Sequence, residues 1–154
     1  MLNKVKQRKQ EGFTIIEVLI VLAIAGLILL IVFLAVPALQ RNSRNTAIKN
    51  DVQNVVGGIA EFQGANNGQL PTSVTGTGTV NYTGPTGTNP TSINIQGTTT
   101  VSSINAAPAA TTPAGGTVIV SLKFKCNGSA NTRAVAAVYS IETTSGTVRQ
   151  CLDS

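Results

Sequence analysis

FTIIEVLIVLAIAGLILLIVFLAVPALQ, residues 13–40, is the stretch on which the fold of this chain turns. Residues 18–40 carry no charge, and an α-helix needs about 20 apolar residues to cross the hydrocarbon of a bilayer. The segment is long enough to span. A cleaved export signal has an apolar core of only about 7 to 15 residues, although Val36 and Ala38 offer it a small-residue cleavage site. Length, and the carboxylate of Glu17 near the start, favour a retained anchor. Ahead of the segment lies MLNKVKQRKQEG, in which Lys4, Lys6, Arg8 and Lys9 stand against Glu11 alone. A basic leader of this kind orients the chain with its N-terminus in the cytoplasm. Arg41, Arg44 and Lys49 on the far side weaken that bias.

The composition of the 154 residues restates this unevenness: 42% are hydrophobic, only 11% are charged, and the net charge of +5 is concentrated in the leader. Ordinary soluble domains are about 25% charged. The excess of Lys and Arg is thus no nucleic-acid footprint. The chain has no histidine, so the commonest general base and metal ligand at neutral pH is missing. Beyond residue 40 the acids are Asp51, Glu61, Glu142 and Asp153, none paired with a base at a recognisable spacing. No glycine-rich phosphate loop precedes a helix. Neither catalysis, a cofactor nor a metal site is expected.

After residue 40 the sequence becomes polar, yet Ile48, Val52, Val55, Ile59 and Phe62 recur at helical spacing and make one apolar stripe. Nothing between Gln40 and Ile48 stops a helix, so the apolar segment is expected to continue into this stripe until the glycines at 64 and 68. At about 1.5 Å per residue, a rod of roughly fifty residues is on the order of 75 Å long. Gly57 and Gly58 read as a soft point, each costing about 1 kcal/mol against alanine. Leu70 and Pro71 end the rod. Residues 72–117 are rich in Thr, Gly, Asn and Ser, a composition that also suits a linker, with short β-prone runs at 92–95 and 98–104. Clearer strands follow. Val118, Val120, Leu122 and Phe124 alternate onto one face, as do Val135, Ala137, Tyr139 and Ile141, with a turn at Asn127 and Gly128. The fold expected is α+β: a long N-terminal helix, transmembrane half plus amphipathic half, packed on a small antiparallel sheet of three or four strands. Its divisions are a leader at 1–12, an apolar helix at 13–40, an amphipathic helix at 41–64 and a β-sheet head at 65–154.

Glu17 is the most informative residue. A carboxylate inside a membrane helix costs about 2.5 to 3.5 kcal/mol on insertion scales, so it snorkels to the headgroups or meets a positive partner. A charge pair in a low-dielectric core acts as a specificity device more than as a source of stability.

The basic leader, Gly12-Phe13, Thr14, Glu17 and the uninterrupted apolar run in EGFTIIEVLIVLAIAGLILLI resemble the N-terminus of type IV pilins and of the pseudopilins of type II secretion. By motif the resemblance covers residues 4–44. It implies that a prepilin peptidase cuts between Gly12 and Phe13, that Phe13 becomes the N-methylated terminus, and that Glu17 pairs with the Phe13 amine of a neighbouring subunit in a helical homopolymer. Gly26 keeps its family place. The family's usual helix proline lies three residues nearer the N-terminus than Pro37, so the span between Gly26 and Pro37 that loosens on assembly is open here, with a simple kink at Pro37 as the alternative. An assembly platform and a cytoplasmic ATPase are implied partners, since this chain has no nucleotide site. The membrane holds the precursor, and the filament lies outside the cell and serves adhesion, twitching motility or DNA uptake, its ligand being a surface or DNA.

Cys126 and Cys151, the two cysteines, lie beyond the membrane segment, where an exported pair reads as a disulfide; bridges near the C-terminus also occur in many type IV pilins. Closing a loop of about 25 residues stabilises by roughly 3 kcal/mol in the chain-entropy model. Asn81-Tyr82-Thr83 and Asn127-Gly128-Ser129 match the glycosylation sequon, the second in a turn that explains it. Lys123, Lys125, Arg133 and Arg149, with Tyr139 nearby, read either as a solvated strand face or as a phosphate-binding patch. A pseudopilin and a membrane-anchored binding module stand as alternatives to a pilus subunit.

Overall fold

The computed structural model describes residues 12–96 and 98–154; the leader, apart from Gly12, lies outside them. Thr14 and Glu17 start α1 (Ile15–Ala65) as a capping box. The Thr14 hydroxyl accepts the Glu17 N–H at 3.3 Å, and the Glu17 carboxylate accepts the Thr14 N–H at 2.9 Å. Two of the donors left over at a helix N-terminus are thereby satisfied. The other end closes through Asn67, held at φ 55°, and a hydrogen bond from the Gly68 N–H to the Gln63 carbonyl at 2.7 Å. This left-handed C-cap satisfies a terminal carbonyl. α1 continues through Pro37.

Two compact units divide the chain, Met1–Leu39 and Gln40–Ser154. In the first, the described residues from Ile15 onward are helix, and every apolar side chain is exposed. In the second, Ile48, Val52, Val55, Ile59 and Phe62 are buried at 7% exposure or less. The stripe read from the sequence is the helical side of the core.

Seven strands form the other side: β1 (Ser73–Thr77), β2 (Thr79–Thr83), β3 (Thr91–Asn94), β4 (Thr100–Ile104), β5 (Thr117–Phe124), β6 (Ala130–Thr143) and β7 (Gly146–Asp153). They make one sheet in the order β3-β2-β1-β4-β5-β6-β7. The sheet is larger than the three or four strands expected. β1 and β2 arise within the Thr/Gly-rich stretch, where Val74, Val80 and Tyr82 alone turn inward to the core. Gly76, at φ 151°, and Gly78, at φ 73°, permit the tight return between them. The β4–β5 pairing is parallel, with Val101 opposite Val118, while every other pairing is antiparallel.

Parallel neighbours need a crossover, here residues 105–116. On β5 and β6, Val118, Val120, Leu122, Val135 and Ala137 face α1. Ala136 and Val138 alternate to the opposite face and are buried as well. On that face the Arg149 Nε donates to the Ala109 carbonyl at 3.1 Å, which ties the crossover over the strands. The half-buried strand expected at β6 is thus covered on both sides.

Gly57 and Gly58 do not loosen α1. A Cβ on Gly58 would stand 2.4 Å from the Tyr82 hydroxyl oxygen, because Tyr82 crosses the helix there and its hydroxyl donates to the Val55 carbonyl at 3.0 Å. Glycine is needed for that close approach. Gly57 meets nothing within 4 Å.

Candidate functional site

The N-terminal site is built from a few residues. Gly12 precedes the helix, where a Cβ would meet nothing within 4 Å among the described residues, and Phe13 is 87% exposed. The first helical turn brings Thr14 and Glu17 together, and the Glu17 Oε2 also accepts the Thr14 hydroxyl at 2.7 Å. Negative charge in the first turn suits the helix dipole. Glu17 is therefore satisfied within its own chain. From Ile15 to Leu39 the apolar side chains are exposed on every side of the helix. Full burial of such a side chain is worth about 1.5 to 3 kcal/mol, so a surface of this kind belongs in lipid or against other helices. This helix is long and apolar enough to cross a membrane. Nothing within 4 Å of Gly26 fixes it as glycine.

In the unit Gln40–Ser154, polar side chains fasten α1 to the sheet and its loops. Arg44 donates two bonds to the Glu142 carboxylate, at 2.8 and 2.6 Å. The hydrogen bond from Arg44 holds Glu142 below the usual carboxylate range, and the same bond raises Arg44. Asn45 donates to the Glu142 carbonyl and accepts its N–H, at 2.8 and 2.7 Å. Asp51, fully buried, accepts the Thr99 hydroxyl at 2.6 Å and the Gln96 N–H at 2.8 Å. Asn66 exchanges bonds with the backbone of Asn89 at 3.1 and 2.7 Å. Buried charges and amides survive only when partnered in this way. The sequence marks Asp51 only as one of four acids without a paired base, although its place three residues after Ile48 and four before Val55 sets it on the buried stripe.

Cys126 and Cys151 are joined, with their Cα atoms 5.9 Å apart and a sequence separation of 25. Beside the bridge, the Cys126 N–H donates to the Asp153 carboxylate at 2.6 Å. Asn81 is exposed on β2 while Tyr82 next to it is core; burial pushes the Tyr82 hydroxyl far above its ordinary pKa. Asn127 accepts the N–H and hydroxyl of Ser129 within its turn.

The four cations do not all share one site. Arg149 is engaged by Ala109, and Tyr139 packs against the core, where burial raises its pKa. Lys123 and Arg133 do come together, lining a cleft of about 440 Å³.

Residues 7–33 match the family model described as the prokaryotic N-terminal methylation motif. Neither the curated proteins nor the solved structures gave a match. The motif implies processing by a prepilin peptidase and homopolymerisation, and it points to a structural subunit rather than an enzyme. With the apolar helix it fits a membrane-anchored precursor. The chain thus carries, at residues 7–33, the N-terminal methylation motif that marks the prepilin leader of type IV pilins and pseudopilins.

Proposed function

We propose that this chain is the pilin of a type IV pilus. The precursor lies in the cytoplasmic membrane with residues 1–12 inside. Cleavage after Gly12 frees Phe13, which is N-methylated, and residues 13–40 then leave the lipid to form the filament core, with a platform protein and a cytoplasmic ATPase supplying the work of extraction. Glu17 exchanges its contacts with Thr14 for the Phe13 amine of the neighbouring subunit, an attraction strengthened by low dielectric and selective for register. A heterologous contact that does not close yields an open helix of subunits. Gly26 and Pro37 are where the core helix gives. Residues 41–64 and the head at 65–154, stapled by Cys126 and Cys151, coat the fibre outside the cell, where it serves adhesion, twitching motility or DNA uptake.

One observation carries this reading: an apolar helix exposed on all sides begins with a carboxylate already seated at its N-terminus. Many major pseudopilins hold calcium near the C-terminus, whereas this tail has Asp153 as the single carboxylate side chain after Glu142, which favours the pilus. Glu17→Ala in the native host tests it. Loss of sheared surface filaments, with the precursor still processed, is expected; filaments in normal number would overturn the assembly role. Mass spectrometry of the mature subunit is expected to place methylated Phe13 first, and any other first residue removes the cleavage assignment.

A further inference from the structure

The cleft at Lys123 and Arg133 has features that the filament reading does not use. Lys123 sits at φ 68°, and apart from Asn67 in the helix cap it is the one non-glycine described residue at positive φ. It lies at a β-bulge, where the β5–β6 register shifts between Leu122 and Phe124 and the extra residues are those of β6 between Ala130 and Val135. A side chain held in the left-handed region is costly and clusters at ligand clamps, and bulges re-aim side chains at sites. The bulge sets Lys123 beside Arg133 in the cleft of about 440 Å³, within the size range of small-ligand sites. No carboxylate side chain lines the cleft. Among the described residues neither cation's side chain has a hydrogen bond or ion pair, the one salt bridge being Arg44–Glu142. Gln69, Thr72, Asn105 and Thr132 complete the polar lining. Arg133 and Gly68 also border a neighbouring cleft, which Ser154 lines.

We propose that this cleft binds a carboxylate-bearing sugar of an acidic polysaccharide. The Arg133 fork and the Lys123 ammonium take the carboxylate, and the amides and hydroxyls around them pair with the sugar hydroxyls. A polynucleotide fits less well. No aromatic ring lines the cleft for base stacking, and two cations release few counterions from a phosphate backbone.

The test is retention of the full-length protein, in nonionic detergent, on immobilised alginate, a polymer of uronic acids, with dextran and duplex DNA alongside at the same low salt. Alginate is expected to retain the protein, with at least tenfold weaker binding for Lys123→Gly and for Arg133→Gln and no change for Lys49→Gln, which lies on α1. Lys123→Gly relieves the left-handed strain and is expected to raise the thermal midpoint, which separates lost binding from lost folding. No retention on alginate, equal retention on dextran, tighter retention on DNA, or alginate binding that survives both substitutions each overturns the proposal. It stands or falls independently of filament assembly.

Discussion

The two halves of α1 use the same kind of residue in opposite ways. Phe33, in the N-terminal half, is 75% exposed, while Phe62, in the C-terminal half, is fully buried under the sheet. Before Gln40 the helix is apolar all round; after it, one stripe is apolar and the rest is polar. A helix hydrophobic on every face needs a surrounding apolar medium, and a striped one needs only a partner layer. The chain supplies the partner layer itself and leaves the medium to lipid or to its copies. Continuity of secondary structure therefore says little about shared stability.

Phe62→Ala is expected to lower the stability of the head by about 3 to 5 kcal/mol, measured by denaturant unfolding of the full chain in mild detergent. Phe33→Ala in the same assay should stay within about 0.5 kcal/mol of the parent; a comparable loss at both sites would break the contrast between the halves. Removing both cysteines as Cys126→Ser with Cys151→Ser should cost roughly 3 kcal/mol, read from the same transition, without change in the helicity of residues 13–39. The adjacent glycines sharpen the contrast within the striped half. Gly58→Ala should destabilise by about 1 to 3 kcal/mol through overpacking against Tyr82, whereas Gly57→Ala, facing open space, should stabilise by up to about 1 kcal/mol.

The smallest effect expected is that of the exposed Arg44–Glu142 pair. Glu142 titrates lower folded than unfolded because Arg44 donates to it. Its contribution is therefore present above the ordinary carboxylate pKa and lost as pH falls through the lowered folded value. Glu142→Gln should flatten the acid side of a stability–pH curve slightly and leave the curve above neutrality unchanged in slope.

Most of the helix was legible in the sequence. The five stripe residues are spaced for one face, and all five are core. β5 and β6 were legible through alternation, and the register shift at Lys123 was not, since alternation along one strand is blind to the three extra residues its partner carries there. β1 and β2 escaped because a strand solvated on its outer face and short on its inner one needs only Val74, Val80 and Tyr82 to hold it, set among Thr, Gly and Asn that read as linker. The β4–β5 pairing joins strands across a 12-residue crossover (105–116), and no local pattern encodes such a partner. At the N-terminus, Thr14 and Glu17 were legible by spacing, but their mutual capping needed the helix start to be placed between them.

The bridge between Cys126 and Cys151 bears on how the head yields to tension. It encloses the whole of β6 and part of β7 in a covalent ring. A head pulled from its two ends with the bridge closed withholds about 25 residues of chain, on the order of 85 Å of contour at full extension. In the fibre proposed above, that withheld length sets a limit to the stretch of each subunit, which reduction of the bridge would release.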